Sequence, residues 1–303
     1  GLFEQAEHHL RIAHGLLSAA LGEEHERTLA AANHLARVLP YLPQRQEAAV
    51  ALARSTLAAR ERAFGKGDPR TLETMVVLGF ALTQLAPTGF EESERVLLEG
   101  LRRARSHAEP DLELISDLLG TLAVICVETQ RYEEARTYYE ELLPYRRLRY
   151  GDDSQKTMFV ISGLVRALAL EGKFDEAGSL ADELVETSLR VHGKDHPGTV
   201  DYRTDRARLY MEQGKYQAAE LELRAAIEGV GSDDPAAIGP MNSLSVSLRF
   251  QHRLQESVET SRACLRLCRS VHGDRHVARG RRLRPGAERL GDRRPAPAHV
   301  RDA

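Results

Sequence analysis

The chain has 303 residues, of which 29% are charged and only 5% aromatic, with no Trp; the bulky side chains of an ordinary globular core are scarce, and Ala, Leu, Glu and Arg point to a helix-rich protein. Net charge is −3, and nine Arg against four acids from Gly273 to Ala303 leave −8 on the residues before them, which excludes the concentrated basic face that nucleic acid requires. Cys126, Cys264 and Cys268 are too few for a disulfide framework and fit a reducing, cytoplasmic setting; no apolar run approaches the ~20 residues of a membrane helix, and Gly1 opens a piece with no leader.

In chain order the elements repeat. A helix start of the form aromatic-x-x-Ala recurs as Phe3 to Ala6, Arg45 to Ala48, Phe90 to Ser93, Tyr132 to Ala135, Phe174 to Ala177, Tyr216 to Ala219 and Leu254 to Ser257, spaced by 42, 45, 42, 42, 42 and 38 residues. A period held this closely is the signature of a repeat array. Midway through the periods lies a Gly/Asp/Pro turn with a small residue after it, clearest at 65–72, 151–158 and 193–200 and looser at 22–29 and 232–238. Gly is expected there as a left-handed cap, with Asp and Pro opening the next helix. Each period thus reads as helix, tight turn, helix, longer loop. The helices that follow the turns, here called first helices, are predicted at 27–40, 70–85, 112–129, 155–171, 198–213 and 236–251. The second helices are predicted at 2–21, 45–64, 90–106, 132–150, 174–192, 216–229 and 254–272.

The small column Ala6, Ala48, Ser93, Ala135, Ala177, Ala219 and Ser257 lets two helices approach closely, and Leu and Ala late in the first helices fill the other side. One hairpin cannot bury its apolar face alone, so the expected fold is all-α, a right-handed α-solenoid of stacked antiparallel hairpins over 1–272 with no strand longer than three residues.

These residues, most clearly His192 to Val200 and Leu209 to Glu220, resemble the tetratricopeptide repeat in its long, kinesin-light-chain-like form. The resemblance covers about 1–272. It implies a binding module, sometimes carried beside a kinase, a nucleotide-switch or a protease-like domain. It also implies two adjacent Asn on each first helix that face the groove and grip a peptide backbone. Those columns here are Asn33-His34, Val76-Val77, Gly120-Thr121, Ser162-Gly163, Thr204-Asp205 and Asn242-Ser243, of which only Asn33 and Asn242 keep the first Asn. The expected partner-binding set, lining the inner surface and partly exposed, is Asn33, His34, Thr121, Ser162, Thr204, Asp205, Asn242 and Ser243.

Other constellations have simpler explanations. Cys264, Cys268 and His272 share a helix face, but Cys264 occupies the core column of Leu142 and Leu184, and ligands spread over two turns cannot close a tetrahedron. His8, His9 and His14 lack an acid or thiol to complete a metal set. Asp195-His196 lies in a turn, where capping explains it. Tyr132 and Tyr139 are assigned to the core, Tyr138 and Tyr145 to a contact stripe. There is no phosphate loop, kinase catalytic loop or nucleophile elbow. No catalytic residue, metal or cofactor is expected.

From Gly273 the helical stripe ends in a run with three Pro and many Arg; Arg outnumbers Lys 37 to 5 over the chain, and the run reads as a frame slip in GC-rich coding or a disordered tail. It is therefore not assigned to nucleic acid or membrane. The first functional reading is a scaffold that binds a peptide or partner domain in a concave groove. The second is a regulatory or sensor segment of a larger signalling enzyme such as a serine/threonine kinase. The two ends carry no polar capping helix, so self-association is expected there, with Phe3, Leu10 and Leu17 exposed on the opening helix and the strongest protection between Leu112 and Gly229.

Overall fold

The computed structural model describes residues 2–272; the expectations placed on 273–303 lie outside the described residues. Thirteen α-helices follow one another with no strand among the described residues: α1 (Leu2–Leu21), α2 (Glu26–Val38), α3 (Gln46–Phe64), α4 (Pro69–Thr83), α5 (Phe90–Arg105), α6 (Leu112–Glu128) and α7 (Tyr132–Tyr150), then α8 (Gln155–Glu171), α9 (Phe174–His192), α10 (Pro197–Glu212), α11 (Tyr216–Val230), α12 (Ile238–Phe250) and α13 (Leu254–His272). Even-numbered helices are the first helices of the repeat and odd-numbered ones the second. The chain divides into two compact units within α9, between Thr187 and Ser188, and each is described by itself.

The turn before each first helix shows why the period is so regular. Gly22, Gly65, Gly151, Gly193 and Gly231 close α1, α3, α7, α9 and α11 with φ between 80° and 91°. At Gly65, Gly151 and Gly231 ψ is 162°, 167° and 148°, so these are not the left-handed caps expected but an extended, positive-φ conformation. Only glycine reaches that region without a side-chain clash. Three residues later comes the cap of the next helix, His25, Asp68, Ser154 and His196; Asp111 serves α6, and Asp234 caps the short 3-10 turn (Pro235–Ala237) that leads into α12. Three residues after the cap, Thr28, Thr71, Thr157 and Thr199 are buried. The Thr71 hydroxyl donates to the Gly65 carbonyl at 2.9 Å, which ties the turn to the helix it opens.

In the first unit α2 packs on α4, α4 on α6 and α6 on α8, and the second helices pack against this row. Leu72, Leu82, Leu118, Leu119, Leu122 and Met158, all on first helices, are fully buried. The small column is where backbones meet: Ser93 is buried and donates to the Gly79 carbonyl at 2.7 Å, and Ala135 is likewise buried. In α3 the buried small residue is Ala49 and Ala48 is exposed, which corrects the landmark by one position. The 42 and 45 spacings on either side of it were the mark of that slip. On α1, Phe3 is exposed as expected, whereas Leu10 packs on the cluster formed by α2, α3 and α4 and Leu17 is half-buried; Leu2, Ile12 and Leu16 are exposed instead.

The second unit repeats the plan. Ala207, Met211, Ala219, Leu223, Leu244 and Leu248 form one core cluster, and Ala237, Met241, Cys264 and Leu267 another. Outer helices within each unit are joined by ion pairs one repeat apart: Arg54 with Glu92, Arg103 with Glu61 and Arg105 with Glu141 in the first, Arg224 with Glu256 in the second. Ion pairs at the surface are screened by solvent and add little to stability.

Candidate functional site

A helix packed on three sides keeps one narrow stripe in contact with water. On every first helix that stripe is spaced i, i+3 or i+4, i+7. It consists of Ala30, His34 and Arg37 on α2; Glu73, Val76 and Phe80 on α4; Asp117, Thr121 and Val124 on α6; and Phe159, Ser162 and Arg166 on α8. In the second unit it is Asp201, Asp205 and Arg208 on α10, then Asn242, Val246 and Arg249 on α12. All are partly or fully accessible. Because neighbouring first helices lie side by side, the first four stripes form one face of the first unit and the last two a face of the second.

The sequence columns straddle this stripe. Successive helical residues lie about 100° apart around the axis, so an adjacent pair rarely shares a face. His34, Asp205 and Asn242 are accessible, while their pair-mates Asn33, Thr204 and Ser243 are buried. Partial exposure therefore fails for Asn33, Thr204 and Ser243. The Asn33 Oδ1 has no hydrogen-bond partner, and the Thr204 hydroxyl donates back to the Val200 carbonyl at 2.7 Å. Thr121 and Ser162 are partly accessible, as expected.

The columns missed the positions one turn to either side, notably Arg37, Glu73, Phe80, Phe159 and Arg166. Phe159 is 63% exposed, a large apolar surface on an otherwise polar helix face. Counting outward from the two columns in steps of three and four was the available signal.

Polar contacts tie the face together. Glu128 of α6 pairs with Arg166 of α8 at 3.0 Å, Glu113 with Lys156 at 3.3 Å, and Glu26 of α2 with Arg70 of α4 at 2.9 Å. Asp117 is held by Arg146 of α7. Arg27 and Arg37 of α2 make no ion pair among the described residues. Beside them Tyr41 stacks on Phe3 at 4.7 Å between ring centroids and leans on Phe80 at 5.6 Å, giving an aromatic patch at the end of α2 and α4. In the second unit Asp201 is accessible yet crowded: desolvation, then the neighbouring Asp205, raises its carboxyl above the usual range.

Metal chemistry finds little support. Glu94, Cys126 and Glu134 bring ligand atoms within 4.8 Å of one another, but Arg131 already lies there, bonding Glu94 at 2.7 Å and Glu134 at 3.2 Å. Burial pushes the Cys126 thiol up to about 11, which makes it a poor ligand and a poor nucleophile. Cys264 is buried in the core as its column implies, donates to the Ile238 carbonyl at 3.6 Å, and is pushed up to about 11 by burial and then by Cys268. His196 is the cap of α10, the role its turn position suggested. Tyr139 is buried as expected, while Tyr138 and Tyr145 are half-buried. No described helix is long and apolar enough to cross a membrane.

Comparison with known proteins agrees with this architecture. Three family models, each described as a tetratricopeptide repeat, match residues 156–230, residues 28–70 and 241–278, and residues 116–144. A search of curated protein sequences gives no match. Among solved structures, BtubC (BKLC) from P. vanneervenii is similar at 18% identity and TM-score 0.58 over 86% of this chain and all of its own. A Podospora anserina putative kinesin light chain with TPR-like repeats aligns at 18% identity and TM-score 0.58 over 66% of this chain and 94% of its own. A Rap protein complexed with competence and sporulation factor aligns at 15% identity and TM-score 0.63 over 88% of this chain and 71% of its own. The recurring hairpins, their glycine turns and the repeat matches along the sequence agree: the chain is a tetratricopeptide-repeat protein, an all-α helical-repeat solenoid of the long-repeat kind.

Proposed function

We propose that this array is a protein-interaction scaffold in which the first-helix face of each unit binds an extended peptide or a segment of a partner protein. The observation that carries the reading is the stripe itself. Its residues recur at one helical spacing on all six first helices and remain accessible beside the buried positions of those helices; on α10 Arg203, Arg206 and Tyr210 are accessible as well. Packing does not require polar or charged residues there, so the stripe is free to be chosen for recognition. The contact set we propose keeps His34, Thr121, Ser162, Asp205 and Asn242 and adds Arg37, Glu73, Phe80, Phe159 and Arg166. Asn33, Thr204 and Ser243 support the stripe from beneath. The Rap structure, whose fold this chain shares, is a complex with competence and sporulation factor, which supports the reading by analogy alone.

A binding role rather than catalysis suits a face that lacks any nucleophile–base pair. Three free thiols suit a cytoplasmic setting. The same face serves whether the array stands alone or acts as the sensor segment of a signalling enzyme such as a serine/threonine kinase, and the complete reading frame distinguishes these. The test is photo-crosslinking in cells of the source organism, with a benzophenone side chain placed at Thr121 or Phe159 and, for comparison, at the outward Leu148 or Leu221. The reading expects a common partner captured from the two face positions. Capture of that partner only from the outward positions contradicts it.

A further inference from the structure

The turns that open α2, α4, α8 and α10 share one plan, a glycine with positive φ three residues before the cap, and differ in the chemistry of the cap. His25 opens α2 and His196 opens α10. In each the ring Nδ1 accepts the backbone N–H two residues on, from Arg27 at 3.2 Å and from Gly198 at 3.1 Å. The corresponding acceptors are the carboxylates of Asp68, Asp111 and Asp234 and the hydroxyl of Ser154. A hydroxyl accepts at any pH. A carboxylate accepts down to its titration near pH 4, and the Arg70 guanidinium holds Asp68 below even that range. An imidazole nitrogen accepts only while it carries no proton, and a free imidazole gains its second proton near pH 6.5.

A proton on the capping ring acts twice in the same direction. It turns the acceptor into a donor that faces another donor, and it sets a positive charge on the positive end of a helix dipole. The cap's stabilisation is therefore present where imidazole is neutral and is lost as pH falls through its titration.

We infer that His25 and His196 are pH-sensitive latches: mild acid releases the first turns of α2 and α10 while the first helices capped by Asp or Ser hold. The charged surroundings differ. His25 stands among Glu23, Glu24 and Glu26; Arg62 of α3 pairs with Glu24, Arg70 of α4 with Glu26, and the Ser18 hydroxyl of α1 donates to Glu23. His196 lies next to Lys194 and Asp195 and is stacked by His192 at the end of α9, with ring centroids 4.4 Å apart.

The test is amide hydrogen exchange resolved by residue on the whole chain at pH 7.5 and 5.5, corrected for the intrinsic pH dependence of exchange. The expected result is that the amides of Arg27 and Gly198 and their first-turn neighbours lose about fivefold in protection at pH 5.5, equivalent to the ~1 kcal/mol of one cap. The first turns of α4, α6 and α8 should change less than twofold. A His25→Asp, His196→Asp variant should keep protection at both pH values, and His25→Ala should lose it at both. Equal responses in the His-capped and the Asp- or Ser-capped helices of the unmodified protein overturn the inference, as does a response that survives in the double Asp variant.

Discussion

First and second helices face different demands, although both come from the same repeat. α4 (15 residues) and α6 (17) bury ten residues each, against four on α7 (19) and four on α11 (15). α4 and α6 each have a first helix on either side and second helices packed against them, whereas the second helices are open along an outer flank, where Arg–Glu pairs link α3 to α5. Stability is therefore concentrated in the inner row. An accessible strip of that row carries His34, Phe159 and Arg166, residues that packing does not ask for. Core requirement and binding surface share the same helices but not the same positions.

Substitutions that treat the two kinds of helix alike should give unlike results. Leu118→Ala, at a fully buried site on α6, should destabilise the first unit by about 3 kcal/mol in urea unfolding. Leu148→Ala on α7, where the side chain is 83% exposed, should stay within about 0.5 kcal/mol. Similar losses at the two sites break the comparison. Glycines sharpen it further. A methyl group on Gly163 of α8 would lie 2.4 Å from the Tyr139 ring, so Gly163→Ala should cost about 1–3 kcal/mol by overpacking. A methyl on Gly178 of α9 meets nothing within 4 Å, so Gly178→Ala should stabilise by about 0.5–1 kcal/mol through helix propensity. Thermal melts of the two variants should move in opposite directions. The smallest effect belongs to the stripe: His34→Ala and Asn242→Ala should each leave stability within about 0.5 kcal/mol, and a larger loss means that these side chains pack rather than wait for a partner.

Much of this was legible in the sequence because the repeat states each rule several times. Helix limits follow from glycine turns and caps that recur at one spacing, and the predicted limits of α7, α8 and α9 are those observed. Cys264 was assigned to the core from Leu142 and Leu184 alone, correctly. What escaped was rotation about the helix axis. Choosing adjacent columns put Asn33, Thr204 and Ser243 on the wrong side, since a shift of one residue turns a side chain by about 100° and only neighbouring helices fix where the open strip lies. Ala48 in place of Ala49 is the same error, one residue in a helix whose cap lacks a side-chain hydrogen bond at Arg45. The extended glycine conformation was likewise hidden, because a sequence gives glycine's freedom and not the angle at which it is used.

The central claim is that recognition resides on the accessible strip of the first helices. It is tested most directly by measuring binding and melting temperature together for charge reversals at Glu73, Arg166 and Asp205 and at the outward Arg54 and Glu141, using the crosslinked partner as ligand. The account predicts at least a tenfold loss of affinity at one or more strip positions with melting temperature unchanged, and no loss at the outward pair. Full affinity at all three strip positions with loss at Arg54 or Glu141 would contradict it.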